Sequence, residues 1–588
     1  MTMVTMTPEQ RRHGRRENGG ANQRRHQVAM GYADAVSELW AVVKEEARPL
    51  LRSLSRCDSA MAEYGRDLVC QGSQEEVRVD LSPPSSSSSS SSRTKNERRV
   101  SSLAQHLHRK LARARFGLGV WSTFVPWVGA MAASALSVAA ACLALFPAFV
   151  CAELGFYVWL RRRRAALARV DGNRKSGSYT SSECLEHMTR VQRSLVALAP
   201  KTPGLAHDFV SDWFLGARPA DLTRGDALQW MSQSLMFRDF EDLESEEERE
   251  TVALVTDKLQ VLLGHESLHG PRFAFREGGR RAGFLKSGFN ICGDYKTQHY
   301  PMCVYAGISI FKGLCASMCK SLGLERRREQ GLGYWVTRRE ADGGGQRPIV
   351  FFHGIGTGVS SYLVLLKAIL AAFKGAPLVV VEMPLVAMEA PWSDGWADPE
   401  TPSCGQDALC RPLLRVLMKH ELLHRRPILV GHSFGCFACR WVLAHPPLSR
   451  LVGGVVLLDP LVFLLPYPEI SKRLQQEPRT VYEFFVRRLI MREPAIAFAL
   501  NRRSRWPECV LWREDLERAR QEFEGFRAAV ALSDLDCFYD VRMVEKYLAG
   551  HERWIQRDTF DCTHGELVFR PNLVAQTIRL IAQVHRGR

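Results

Sequence analysis

From residue 332 onward, short runs of Val, Ile and Leu recur between stretches of helical spacing, and no other feature constrains the fold as much. The runs are "GYWVTRR" (333–339), "RPIVFFHG" (347–354), "APLVVVEMP" (376–384), "RPILVGHS" (426–433), "VGGVVLLDP" (452–460), "RAAVALSD" (527–534) and "RWIQRD" (553–558). A strand that is apolar along nearly its whole length is buried on both faces, which a mostly parallel sheet covered by helices requires. "SSYLVLLKAILAAF" (360–373) and "DALCRPLLRVLMKHELLH" (407–424) read as two of those helices. The predicted class is therefore α/β, with reactive side chains beyond the carboxyl ends of the strands.

"RPILVGHSFGCFACRWVLAHP" (426–446) places Ser433 at such an end. "PILV" reads as strand, "GHSFG" as turn and "CFACRWVLAH" as helix, with Gly431 and Gly435 two positions either side of the serine. A serine on a sharp strand-to-helix turn has a strained backbone, and small residues at those positions let strand and helix approach. Such a nucleophile needs a base and a carboxylate that holds the base in the right tautomer. The run at 527–534 offers Asp534, Asp536 and Asp540 at or beyond its end, of which Asp536 is best placed; His564, in "DCTHGELVF", follows the last strand. Asp459 in "LLDP" is the alternative acid, and Asp540 a further one.

Attack on a carbonyl develops charge on its oxygen, which backbone N–H groups must meet. "FFHGIGTG" (351–358) supplies exposed N–H groups after a strand. The expected oxyanion residues are Gly354, Ile355, Gly356 and Phe434, with the donors being Phe434 N–H and that of Ile355 or Gly356. His353 is expected to orient the loop. No G-K-[ST] follows, which sets aside a phosphate loop. Cys436 reads as core packing and His432 as pocket lining. The 16 cysteines show no repeated CxxC at zinc spacing, so neither metal nor cofactor is expected.

By "HGIG", "GHSFG", "LSDLD" and "CTHG" in this order, the chain resembles the α/β-hydrolase superfamily. It also resembles membrane-associated eukaryotic members through "LLDPLVFLLPYPEI" (457–470), "RRSRWPECVLW" (502–512) and "DWF…WMSQSLMF". Ser533 departs from the usual pattern by standing where the acid turn carries glycine. The resemblance implies an α/β-hydrolase fold over residues 331–588, with a helical cap inserted at about 461–525. It further implies a serine hydrolase of the carboxylesterase or lipase type, cleaving esters of lipids or other hydrophobic acyl esters through an acyl-enzyme. The alternatives are an acyltransferase using the same triad and an inactive hydrolase-fold interaction module.

The amino-terminal half points to a membrane. In residues 116–160 only Glu153 is charged. One helix of that length would reach about 67 Å, roughly twice the ~30 Å hydrocarbon core. Two helices, near 118–136 and 139–160, form the expected transmembrane hairpin within a membrane segment at 111–165. Arginines flank both ends, so both flanks face the cytosol; the organelle (endoplasmic reticulum, lipid droplet or plastid) stays open. Residues 1–110 are polar and arginine-rich, contain "LSPPSSSSSSSSR" (81–93), and are expected to be mostly disordered apart from a helix near 32–54. Residues 170–330 read as a mostly helical segment. The net charge of +16 favours an anionic partner, and no nucleic-acid module is present, so membrane lipid is the expected one. The absence of any N-x-[ST] site and of a need for disulfides agrees with a cytosol-facing catalytic domain.

Overall fold

The computed structural model describes residues 146–169, 179–202, 204–264, 273–283, 296–338, 346–393, 396 and 405–586. Eight strands form one sheet: β1 (Leu324–Glu329), β2 (Leu332–Thr337), β3 (Ile349–Phe352), β4 (Leu378–Val381), β5 (Ile428–His432), β6 (Gly454–Leu458), β7 (Arg527–Ser533) and β8 (Ile555–Phe560). Their order is β1-β2-β4-β3-β5-β6-β7-β8. β1 and β2 are antiparallel to their neighbours, and all other pairs are parallel. Every residue of β3, β4, β5 and β6 is buried, as their apolar composition requires.

Alternate side chains of the central strands enter two cores. Ile349, Phe351, Val380 and Val430 join Leu365, Ile369, Leu580 and Ile581 on one side. Val350, Phe352, Val379 and Leu429 join Leu413, Val416, Phe437 and Trp441 on the other. Parallel pairing also aligns strand ends: His432 pairs with Leu458, Leu458 with Ala531, and Ser533 with Phe560. The chain leaves β5, β6, β7 and β8 at neighbouring points, so loops from four distant parts of the sequence meet at one edge.

The seven apolar runs all form strands; the eighth strand, β1, has the sequence "LERRRE". It is an edge strand, exposed over its arginines, where charge discourages pairing with another chain. The sheet therefore begins at residue 324, inside the segment expected to be helical. The rest of that segment is mostly helical among the described residues, except for 273–283 and 296–301: α2 (Ser181–Leu198), α3 (Glu246–Leu263) and α4 (Met302–Ser321) are its longest helices, preceded by α1 at 146–168. α2 and its neighbours pack on the insertion between β6 and β7: Ser194 Oγ lies 3.1 Å from Tyr467 Oη, and Trp506 Nε1 donates to Ser234 O at 2.7 Å.

α1 differs from the expected second membrane helix. It continues past residue 160 through all four arginines of 161–164, because Phe156, Leu160 and Leu167 are buried against the rest of the chain. Arg164 Nε donates to Thr297 Oγ1 at 2.8 Å. The expected helix at 118–136, residues 139–145, the helix near 32–54 and the serine tract lie outside the described residues.

Candidate active site

β5 runs into the helix α5 (Gly435–Ala444) through a two-residue turn. A Cβ on Gly435 would stand 2.2 Å from Phe352 O, and one on Gly431 would stand 2.7 Å from both Cys439 Sγ and Gly435 O. Strand, helix and β3 meet too closely for any side chain there. Ser433 between them has φ +53°, and its N–H donates to Leu458 O at 2.8 Å. A non-glycine residue held in this region is strained and persists only where its surroundings over-determine it.

His564 comes from the loop after β8. Its Nε2 lies 2.9 Å from Ser433 Oγ and its Nδ1 lies 2.6 Å from Asp536 Oδ2. Asp536, in the turn after β7, accepts from Phe538 N through its other oxygen at 2.8 Å. Ser433, His564 and Asp536 are all buried. Burial opposes the charged form of His564, but the charge and hydrogen bond of Asp536, with the charge of Asp459, outweigh it and raise the imidazole pKa. Burial likewise raises Asp536 against the pull of His564. The pair as a unit thus holds its proton to a higher pH than a free histidine would. The other acids of this stretch are employed differently: Asp534 is exposed, and Asp540 caps the helix Val541–Leu548, accepting from Arg542 N and Met543 N.

The loop after β3 sorts the expected oxyanion donors. Gly354 N–H donates to Tyr362 Oη at 2.7 Å, and Gly356 N–H donates to Val386 O at 3.0 Å. Both are consumed, which leaves Ile355 of the two expected alternatives, Ile355 and Gly356. The N–H groups of Ile355 and Phe434 have no acceptor among the described residues. His353 orients the first of these. Its Nε2 accepts from Met383 N at 2.9 Å, so its proton sits on Nδ1 and is donated to Gly354 O at 2.8 Å. A trans peptide points its N–H opposite to its C=O, so anchoring Gly354 O aims Ile355 N–H away from His353. Burial pushes the His353 pKa down to about 4, which keeps it neutral in this role.

Asp459 belongs to a second buried network that sequence reasoning did not assemble. It has φ +46°, accepts from Ser533 Oγ and from Gly565 N, both at 2.6 Å, and lies 3.6 Å from His432 Nε2. His432 Nδ1 is 2.7 Å from Tyr362 Oη. With Tyr362 accepting from Gly354 N–H, its hydroxyl proton goes to His432 Nδ1, which puts the His432 proton on Nε2, facing the Asp459 carboxylate at a distance beyond a hydrogen bond. The serine that replaces the usual glycine of the acid turn is therefore a donor to Asp459. Nothing in the spacing of Tyr362, His432, Asp459 and Ser533 signals this, because His432, Asp459 and Ser533 come from three different strand ends and Tyr362 from the 3-10 turn Gly358–Tyr362.

The site opens on an apolar cavity of about 180 Å³, walled by Ile355, Phe434, Leu461, Leu474, Phe485, Val486, Ile490, Leu500 and Val568. Much of this wall comes from the insertion, whose "VYEFFVRRLI" and "PAIAFAL" stretches supply Phe485, Val486, Ile490 and Leu500. Tyr482 of the insertion donates to His564 O at 2.5 Å and so ties the insertion to the histidine loop. Among the described residues, one group of His, Cys, Asp and Glu has ligand atoms mutually within 4.8 Å: Asp459, Asp536 and His564. In this group Asp459 accepts from Ser533 Oγ and Gly565 N, Asp536 accepts from Phe538 N and His564, and His564 Nε2 faces Ser433 Oγ.

Residues 349–574 match the model of a family described as the alpha/beta hydrolase family. No curated protein matches the chain. Among solved structures, a thermophilic esterase from Thermogutta terrifontis is 14% identical over 45% of this chain and 99% of its own, with a TM-score of 0.32. A carboxylesterase structure from Nitrososphaera gargenis is 11% identical over 45% and 100%, with a TM-score of 0.32. A Pyrococcus furiosus esterase is 11% identical over 45% and 95%, with a TM-score of 0.29.

Proposed function

Residues 349–574 match the alpha/beta hydrolase family, and from that premise we propose that the chain is a membrane-associated serine hydrolase acting on carboxylic esters of lipids or other hydrophobic substrates. The carrying observation is the unbroken line from Ser433 Oγ through His564 to Asp536, buried at the base of an apolar cavity and beside two unspent N–H groups.

In this reading the ester's acyl chain lies along Leu461, Val486 and Ile490. His564 Nε2 takes the Ser433 proton as Oγ attacks the carbonyl carbon, and Asp536 holds Nδ1–H and stabilises the imidazolium. The N–H groups of Ile355 and Phe434 receive the oxyanion. His564 then returns the proton to the departing alkoxide, leaving the acyl group on Ser433. A water deprotonated by the same imidazole releases the acid and restores the serine. An alcohol in place of water makes the reaction an acyl transfer with the same balance of protons. Membrane association is supported by the nearly uncharged run at 116–160, and the arginines that flank it support a catalytic region on the cytosolic side.

The test is labelling of the full chain, in mild detergent, with a serine-directed fluorophosphonate, beside Ser433→Ala and His564→Ala. Labelling that vanishes in the first and collapses in the second supports the reading. A folded wild-type chain that stays unlabelled overturns it in favour of an inactive interaction module.

A further inference from the structure

α4 is the feature that the proposed chemistry leaves unexplained. At 20 residues it is about 30 Å long. One face, bearing Tyr305, Cys315 and Cys319, is buried against the body of the chain. The opposite face carries Val304, Phe311, Leu314 and Met318, spaced by seven, three and four residues, with Ile310 beside them. All five are exposed, Ile310 to 66% and Leu314 to 64%. The one charge in the middle of the helix, Lys312, turns inward to Glu389 and to Ala387 O. The outer face is therefore uncharged over almost the whole length of the helix, and soluble surfaces rarely leave such a stripe to water.

We infer that α4 lies flat on an anionic lipid bilayer, its apolar face in the acyl–headgroup boundary. Three observations favour lipid over other occupants. The stripe is continuous with the membrane segment: the Glu153 carboxylate of α1 accepts from Met302 N at 2.8 Å and Cys303 N at 3.0 Å. The single acid of the apolar run is thereby spent on the helix N-terminus, and Phe146 and Phe149, seven and four residues before Glu153 on α1, are exposed. Cations sit on the elements around the stripe: Lys320 on α4 and Arg328 on β1, which packs against α4, are exposed and have no ion pair among the described residues, and Arg162 is exposed on α1. Anionic headgroups attract such cations, whereas a two-fold contact with a second copy would bring like charges together. Finally, α4 buries its other face in the protein, so it cannot be surrounded by lipid as a spanning helix is; an in-plane helix is the arrangement that fits.

The buried side of α4 and the residues just before it are coupled to the cavity. Gln298 N donates to Arg492 O at 2.7 Å, Tyr305 Oη of α4 donates to Glu493 Oε1 at 2.9 Å, and Tyr300 donates to Leu489 O. Ile490 and Met491, between these anchors, wall the cavity. A bilayer under α4 thus lies one strap away from the acyl site.

Photocrosslinking of the full chain tests this. Benzoylphenylalanine replaces Phe311 or Leu314, and, as controls, the exposed Val261 or Met418, in vesicles of phosphatidylcholine with phosphatidylserine. Phospholipid adducts at 311 and 314, absent at 261 and 418 and falling several-fold in phosphatidylcholine alone, support the inference. Crosslinks between two copies, crosslinks to residues 116–145, or a folded chain giving no adduct overturn it. Equal yield without phosphatidylserine overturns the anionic preference. A Ser433→Ala chain that crosslinks equally separates this outcome from the fate of the hydrolase reading.

Discussion

At the scale of single residues, the two buried aspartates near His564 have different duties and are separable by experiment. Asp536 holds Nδ1 directly, so Asp536→Asn presents an amide that stabilises the wrong tautomer; the expected loss in kcat is about 10⁴-fold. Asp459 makes no hydrogen bond to the His564 ring, yet its charge raises the pKa of His564. A base must be unprotonated to act, so kcat/KM falls as pH drops through that raised pKa, which lies above the ordinary value of about 6.5. Removing an anion favours the neutral ring. Asp459→Asn is therefore expected to move the acid limb of the profile to lower pH, with a far smaller loss at the plateau than Asp536→Asn. An unmoved limb, or a plateau loss as large, would reverse the assignment of the two acids.

At the scale of elements, the site is assembled by close approaches that allow no side chain and by straps between loops. Gly435→Ala would drive a Cβ to 2.2 Å from the backbone oxygen of Phe352, which no rotamer can relieve. A loss of about 3 kcal/mol or more is expected, read in chemical denaturation, together with loss of fluorophosphonate labelling. Gly354→Ala brings a Cβ to 2.9 Å from Tyr362 Oη and 3.1 Å from Ser433 Cβ, and so disturbs the peptide that aims Ile355 N–H. A loss near that of one oxyanion donor, about 10²–10³-fold in kcat, should appear there with KM little changed. Tyr482→Phe removes the strap from the insertion to His564 O and leaves that carbonyl short of a donor, at a cost of about 1–3 kcal/mol.

For the molecule as a whole, buried neutral histidines set the response to acid. Burial lowers His353, His187 and His299 each to about 4. Unfolded, each binds its proton near 6.5. Between about 6.5 and 4 the unfolded chain binds more protons, so stability falls as pH falls through that window. For the fully buried His353 the full effect is about 3 kcal/mol by pH 4. His564, whose pKa is raised, contributes in the opposite sense over its own range. The melting temperature should drop between pH 7 and pH 5, and His353→Gln, whose amide can still donate to Gly354 O and accept from Met383 N, should flatten that dependence.

What the sequence determined by itself was local. Apolar runs of strand length between helical stretches specify a two-sided parallel sheet, because burial on both faces leaves no position for a polar residue. The glycine spacing around Ser433 specifies a tight turn for the equally local reason that no Cβ fits there. The order of Ser433, Asp536 and His564 along the chain, and their places at strand ends, were legible in the same way. The tertiary structure decided everything that depends on a partner far away in sequence. It selected Ile355 over Gly356 by spending the Gly356 N–H on Val386 O. It gave Ser533 to Asp459 and Asp540 to a helix N-terminus. It also made a strand of "LERRRE", which strand β2 pairs despite its charges, and a surface stripe of α4, whose composition alone does not say which face is covered. Hydrogen bonds and burial are pairwise, and a sequence lists the partners without listing the pairs.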